Sequence, residues 1–219
     1  MVLTPAQAKT FYDRFGRKQD SQSFYEDKAL AELIGHADFA QAHSLFELGC
    51  GTGRFALRLL SSELPDDANY LATDLSDTMI ALAQQRLAPY ATRARVVRAE
   101  GDMHFPLRDQ SVDRVVATYV LDLLSDTDIQ QAIREARRVL MPGGKLCLAS
   151  LSQGINLSSR LVCRVWSGLF RLHAPLVGGC RPIRLLPLFD TGLWSVDYQH
   201  VLTQFGVPSE ILIATPKPT

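Results

Sequence analysis

A chain of 219 residues, 47% hydrophobic and 21% charged, is long enough for one domain with a substantial core. Its 23 basic residues balance its 23 acidic ones, so no net field draws it to nucleic acid, and nucleic acid is not an expected partner. The N-terminal residues lack a basic-then-apolar secretion pattern, and no window reaches the ~18 uninterrupted apolar residues of a membrane span, so a cytoplasmic location is expected.

Residues 5–34 read as amphipathic helix. Pro5 suits a first turn, and Phe11, Phe15, Leu30, Leu33 and Ile34 supply the apolar positions. Gly16 and the polar run 17–23 break this stretch in two. The period then changes. Residues 44–48 form a short apolar strand that runs into glycines, and residues 55–64 are helical up to Pro65. A second strand, 70–73, ends at Asp74, and Ser76 caps a helix running toward Leu87. Residues 95–97 and 112–120 give a third and a fourth strand. A helix over 129–140, a turn at Pro142-Gly143-Gly144 and a fifth strand over 145–151 follow. Segment 156–192 is apolar with scattered arginines. Residues 194–204 and 210–214 then read as two strands separated by Gly206-Val207-Pro208, a hairpin-like ending.

Strands alternating with helices build a parallel sheet covered on both faces, and the final hairpin adds an antiparallel edge. The expected fold class is therefore α/β in a single domain over 1–219. Within it, 1–43 is expected to be an N-terminal helical lid, 44–151 the core, 152–193 a helical cap and 194–219 a strand pair. The cysteines, Cys50, Cys147, Cys163 and Cys180, form no C-x-x-C pair. They read as small buried thiols in a reducing compartment, and no metal site is expected.

The strongest signal is Glu47-Leu48-Gly49-Cys50-Gly51-Thr52-Gly53, which follows a strand and opens a helix. Glycine lets the backbone turn sharply and approach a ligand with no Cβ in the way. In open α/β sheets such ligands sit beyond the carboxyl ends of the strands, where a helix N-terminus offers free N–H groups. The dinucleotide fingerprint G-x-G-x-x-G fails, because its third position falls on Arg54, and no Gly-Lys-Ser/Thr run makes a phosphate loop. Two further signals fall in order. Asp74, at the end of the second strand, can accept both hydroxyls of a ribose or can serve as a helix cap. In Gly101-Asp102-Met103, after the third strand, the carboxylate can meet an adenine amino group and the thioether can pack on the ring.

These motifs together resemble the class I SAM-dependent methyltransferase family, in the broad group that includes small-molecule and quinone methylases. The resemblance spans roughly residues 45–151. Glu47 to Gly53 resembles the family's first motif. Thr73-Asp74-Leu75-Ser76, with Met79 three residues on, resembles the second, and Gly101-Asp102-Met103 the third. Residues 105–113 resemble the stretch before the fourth strand, and Arg137 to Leu146 the turn before the fifth.

The resemblance implies a Rossmann-like seven-stranded, mostly parallel sheet with an antiparallel last strand and helices on both faces. It implies S-adenosyl-L-methionine as cofactor. Glu47 would order the loop, and Gly49, Cys50, Gly51 and Gly53 would line the methionine end. Asp74 would hold the ribose, Leu75 and Met103 would sandwich the adenine, Asp102 would meet its amino group, and Gly101 would belong to the same cofactor site. Tyr119 would lie near the methyl group. The family's base-amino methylases carry N-P-P-F/Y after the fourth strand. Here Ala117-Thr118-Tyr119-Val120-Leu121-Asp122 stands instead, which argues against nucleobase amino groups.

An electrophilic methyl group needs an oriented acceptor, and a base only where that acceptor is protonated. Tyr119, Asp122, His104 and Tyr12 are the candidates, the last within a lid. Each also has a plainer role, as cofactor packing, loop cap, solvated turn residue or lid aromatic. Acceptor choice falls to the decorations. In 157–173, Arg160, Arg164 and Arg171 share one helical face beside a broad apolar one, a pattern that suits a lid packed on the sheet or contact with a membrane surface. The expected function is direct methyl transfer to a small apolar or amphipathic acceptor. The alternative is a SAM-binding sensor or non-catalytic partner subunit of the same fold.

Overall fold

The structure is a computed structural model describing residues 2–218. Met1 and Thr219, the outer ends of the predicted lid and strand pair, lie outside the described residues. Seven strands form one sheet: β1 (Ser44–Leu48), β2 (Asn69–Asp74), β3 (Ala94–Arg98), β4 (Val112–Thr118), β5 (Leu140–Leu151), β6 (Trp194–Gln204) and β7 (Val207–Pro216). Their order is β3-β2-β1-β4-β5-β7-β6. The first five pair in parallel, while β7 runs antiparallel to both β5 and β6, so β7 alone opposes the rest.

Among the described residues there are six α-helices: α1 (Pro5–Phe15), α2 (Ser23–His36), α3 (Arg54–Arg58), α4 (Asp77–Leu87), α5 (Asp126–Val139) and α6 (Leu157–Leu172). The starts of α1, α4, α5 and α6 are set by side-chain caps that satisfy free N–H groups, whereas α2 and α3 start without one. Thr4 and Gln7 form a capping box on α1, Ser76 accepts from Met79 N–H on α4, and Ser125 accepts from Asp128 N–H on α5. On one face of the sheet, Leu30, Leu33, Phe55, Leu59, Ala83 and Leu87 from α2 to α4 and the turn after α3 meet the strands. On the other face, α5 presents Ile129, Ile133 and Ala136, joined by Leu185 and Phe189 from the chain before β6 and by Trp194 at its start.

Several boundaries differ from the sequence reading. After α3 the chain winds as a π-turn over Leu59–Glu63, and Leu64 N–H reaches Leu59 O at 2.9 Å before Pro65. The Pro142-Gly143-Gly144 turn lies inside β5 as an irregularity. Val112 pairs with Leu140, but Arg114 pairs with Lys145, so the extra residues loop out where a proline has no ladder bond to give. The final hairpin turns on Phe205 and Gly206 alone, with φ of 50° and 82°, so Val207 and Pro208 belong to β7. That hairpin inserts β7 between β5 and β6 and leaves β6 at the edge.

The predicted lid, 1–43, divides in two. Residues 3–22 face the carboxyl ends of the strands, whereas α2 buries Ala29, Leu30 and Leu33 against the sheet, because its apolar positions form a core-facing stripe.

A buried carboxylate fastens the decoration to the sheet. Glu210 of β7 is 2% exposed. Its Oε2 accepts from Leu185 N–H at 2.8 Å and from Ser152 Oγ at 3.1 Å, and its Oε1 accepts from Gln199 Nε2 at 3.0 Å. Replacing Glu210 with leucine leaves these donors unpaired. At ~1–3 kcal/mol per buried unsatisfied group, the loss is on the order of 3 kcal/mol. The melting temperature is expected to fall by roughly 6–12 °C. An unchanged melting temperature would show that the tie contributes nothing.

Candidate functional site

A cleft opens at the carboxyl ends of β1, β2 and β4 and is roofed by α1, which contributes Pro5, Ala8, Lys9 and Tyr12. Its floor is the loop between β1 and α3. Gly49 and Gly51 take φ of 69° and 53° and line the cleft. A Cβ at Gly49 would stand 2.4 Å from Val120, so only glycine lets the loop pass. Gly53, with φ 76°, caps α3 and packs on Ala83 of α4, not on the cleft. Cys50 is not among the residues lining the cleft; it is buried in a small cavity behind Gly49 and Gln19, beside Phe55 and Thr52, and burial pushes its thiol well up. Glu47 lies beneath the loop. Burial raises its carboxyl to about 7, against the lowering effect of Tyr70 Oη, which donates to Oε2 at 2.9 Å.

Asp74 joins the loop to the next strand. Its Oδ2 accepts from Gly51 N–H at 2.8 Å and its Oδ1 from Ser76 N–H at 2.9 Å. Burial raises this carboxyl, opposed by the N–H groups of Ser76, Gly51 and Leu75. The helix cap itself is Ser76, so Asp74 is not the cap of α4. Leu75, Gly101 and Met103 line the far end of the cleft.

Other predicted residues lie elsewhere. Met79 is buried in the core side of α4. Asp102 is exposed at the rim, where its Oδ1 accepts from His104 N–H at 3.4 Å. His104 turns outward to Glu135, with Nδ1 3.2 Å from Oε2, and so does not reach the cleft. Loop residues carry no face periodicity, which is why sequence alone misplaced these two.

At the opposite end stand Tyr12, Tyr119 and Asp122. Tyr119 leaves β4 with φ 55°, a left-handed conformation that is uncommon for a bulky residue and clusters at functional sites. Its hydroxyl lies 2.8 Å from Ser209 Oγ, and its ring meets Tyr25 edge-on. Tyr12 Oη donates to Gly178 O at 3.1 Å. Asp122 is fully buried behind this wall. Its Oδ2 faces Leu151 N–H at 3.4 Å, and its Oδ1 has no partner. Burial raises its carboxyl to about 7. Cys180 lies beside Tyr12, and the field of Asp122 reaches both.

Of the predicted cap, the turn around Gly178 and Gly179 reaches this wall, with Gly179 against Leu3 and Leu123. The apolar stripe of α6 faces outward, with Leu161 63% exposed. Trp166 turns inward, and its Nε1 donates to Cys180 O at 3.0 Å.

Sequence reasoning missed Gln19. The polar run after Gly16, read as a helix break, winds as a 3-10 strap over Gly16–Gln22. Asp20 ties it down, accepting from Thr52 Oγ1 at 2.5 Å and from Arg86 Nη2 at 2.6 Å. The Gln19 carboxamide then lies over Gly51, within 2.8 Å of where a Cβ would stand, and its buried Oε1 has no partner. Two glutamines and an aspartate just after a helix-breaking glycine were the only hint. Lys9, also missed, bridges Asp13 and Asp77 at 2.6 and 2.8 Å and pins α1 to α4.

The cleft thus offers, in order, a glycine cradle under an orphaned carboxamide, a carboxylate and an apolar slot between Leu75 and Met103. That sequence of groups fits a ligand with an amino-acid end, a ribose and a purine.

Comparison with known proteins agrees. The model of the methyltransferase domain family matches residues 45–144. Malonyl-[acyl-carrier protein] O-methyltransferase of Marinomonas sp. is 33% identical over 159 residues, 72% of this chain and 55% of that protein. Demethylmenaquinone methyltransferase of Lactiplantibacillus plantarum is 34% identical over 140 residues, 64% of this chain and 56% of that one. The chain therefore spans a little over half the length of these curated relatives. Among solved structures, the [4+2]-cyclase SpnF superposes with TM-score 0.74 at 17% identity, covering 100% of this chain and 98% of that one. N-methyltransferase NodS from Bradyrhizobium japonicum, solved with S-adenosyl-L-homocysteine, gives TM-score 0.65 at 18% identity, with 88% of each chain covered. At those identities the two structures speak for the fold. With the glycine loop, Asp74 and the seven-stranded sheet in place, residues 45–144 carry a methyltransferase domain, and the chain is similar to the class I SAM-dependent methyltransferases, whose cofactor is S-adenosyl-L-methionine.

Proposed function

We propose that this protein transfers the methyl group of S-adenosyl-L-methionine to a small apolar or amphipathic acceptor. The observation that carries this reading is the division of the cleft. One part is the cradle just described. The other is a mostly apolar wall of Leu3, Tyr12, Tyr119, Val120, Leu123 and Leu124 under α1. The quinone-type acceptor in the name of the Lactiplantibacillus relative has the same apolar character.

Gly49, Gly51 and Gln19 hold the methionine end, Asp74 the ribose, and Leu75 with Met103 the adenine. When bound, the cofactor supplies an electrophilic methyl carbon on a sulfonium. The protein orients the acceptor in line with it and keeps water out, which is proximity catalysis. Here α1 is the roof, and Lys9 clamps it to α4. Asp122, with one free oxygen and a carboxyl raised by burial to about 7, is the group behind this wall that takes up the proton of a weakly acidic acceptor.

The test uses labelled S-adenosyl-L-methionine with a panel of demethylated quinols and other phenolic and enolic lipids. S-adenosyl-L-homocysteine should appear in step with a methylated product. Replacing Trp166 with phenylalanine removes the bond to Cys180 O. That variant should lower acceptor kcat/KM several-fold and leave the cofactor Kd unchanged. Cofactor binding without product from the panel or from cell extract would overturn the reading and favour a sensor or partner subunit.

A further inference from the structure

We propose that α6 and the tip of the β6–β7 hairpin form a platform that docks on an anionic lipid bilayer. The proposal goes beyond methyl transfer and is read without an acceptor.

Three observations carry it. The first is an unpartnered apolar stripe. α6 has 16 residues and is about 24 Å long. Leu157, Leu161, Val165, Leu169 and Leu172 repeat along one side at helical spacing and are 40–86% exposed. The second is its continuation onto other elements. Val162 of α6 sits against Gly206 of the hairpin tip, and the neighbouring Phe205 is 76% exposed. The Phe205 ring lies 5.9 Å from that of Phe24, which is 54% exposed. A contiguous exposed apolar surface of this kind marks an interaction site.

The third is charge. Arg160, Arg164 and Arg171 line a groove along another side of the same helix, with Cys163, Ser167 and Gly168 between them. Among the described residues none of the three arginines has a carboxylate within 4.0 Å. From Leu151 to Phe189 the chain has no Asp or Glu, although the chain as a whole is neutral.

The inner side of α6 is already used. Cys163 donates to Ser152 O and Trp166 to Cys180 O, so the stripe cannot turn inward. A second copy laid on the same face would bring arginines against arginines. A protein with an acidic surface would answer the arginines but not the long apolar stripe and the aromatic tip. A bilayer answers both. Its acyl boundary takes apolar side chains to a depth of about 5–10 Å, and its phosphates take guanidinium groups on flexible stems. Docked in this way, α6 brings its Trp166–Cys180 contact, and with it the apolar wall of the cleft, next to the lipid phase.

The test is sedimentation of the full chain with vesicles of phosphatidylcholine alone and of phosphatidylcholine with phosphatidylglycerol. The wild type should pellet with the anionic vesicles, far less with the neutral ones, and less as salt rises. Arg160→Gln, Arg164→Gln and Arg171→Gln together should lower partitioning on the order of a hundredfold, at roughly fivefold per arginine near an anionic surface. Leu161→Asp with Val165→Asp should abolish it, with unchanged melting temperature because both sites are exposed. If the aspartate pair failed to fold, the arginine variant and the salt dependence decide. A wild type that stays in the supernatant with anionic vesicles at low salt overturns the proposal. So does a triple glutamine variant that partitions like the wild type, or retention on an acidic carrier protein with none on vesicles.

Discussion

Asp122→Asn is expected to lower acceptor turnover by roughly two to four orders of magnitude, the range for loss of a proton-transfer group. Asparagine keeps the shape and the acceptor facing Leu151 N–H, so the fold has no reason to change. What it loses is the ability to take a proton on the oxygen that has no partner. The wild-type carboxyl is raised by burial to about 7, so kcat should fall as pH drops through 7, and the variant should lack that limb.

Stability moves the other way. An unfolded aspartate ionises near 3.8, whereas the folded one resists ionisation to about 7. The contribution is fully present below 3.8 and is lost as pH rises through 7. At pH 8 the wild type carries a buried charge that asparagine removes, so the variant should melt higher there, by an amount equivalent to a few kcal/mol at ~1.4 kcal/mol per pKa unit. Measurements of kcat against pH and of melting at pH 5 and 8 check both. Full turnover with the acid limb intact would remove Asp122 from the chemistry.

Asp74→Ala is expected to weaken cofactor binding tenfold to a hundredfold, since an unpaired buried polar group costs about 1–3 kcal/mol. Two losses coincide. The ribose hydroxyls lose their acceptor, and Gly51 N–H loses the bond that sets the loop's approach. Calorimetry on the folded variant reads the change. An equal Kd for wild type and variant would leave Asp74 only a brace between the loop and α4.

The alternation of strand and helix, the glycine loop and Asp74 were legible in the sequence, because each depends on local spacing. Leu75, Gly101 and Met103 fell in the cleft because strand ends are fixed by register. Asp102 and His104 did not, since a loop side chain's direction is set by what it meets, here each other and Glu135. Met79 turned into the core because helix phase, not motif membership, decides which way it points. Gln19 could not be placed without its strap, which is held by Asp20 to Thr52 and Arg86, residues 32 and 66 positions away. The direction in which the cap faces was not legible for a related reason. Its apolar stripe was visible, but only the bonds of Cys163 and Trp166 show that the stripe faces outward.

The insertion of β7 between β5 and β6 also bears on how the sheet is assembled. β6 and β7 are joined by a two-residue turn, and such ribbons form in about 1–10 μs. β5 and β7 meet across far longer range, with Leu146 opposite Ala214. The ribbon is therefore expected to form first and to dock as a unit, tethered by the chain that holds α6. Closing such a tether is insensitive to its length, and doubling it costs only about 0.6 kcal/mol. The length of the segment between β5 and β6 is thus free to change in evolution wherever Leu185 and Phe189 keep their places in the core and Glu210 keeps its bond to Leu185 N–H. The strands that form the cofactor cradle would be left undisturbed.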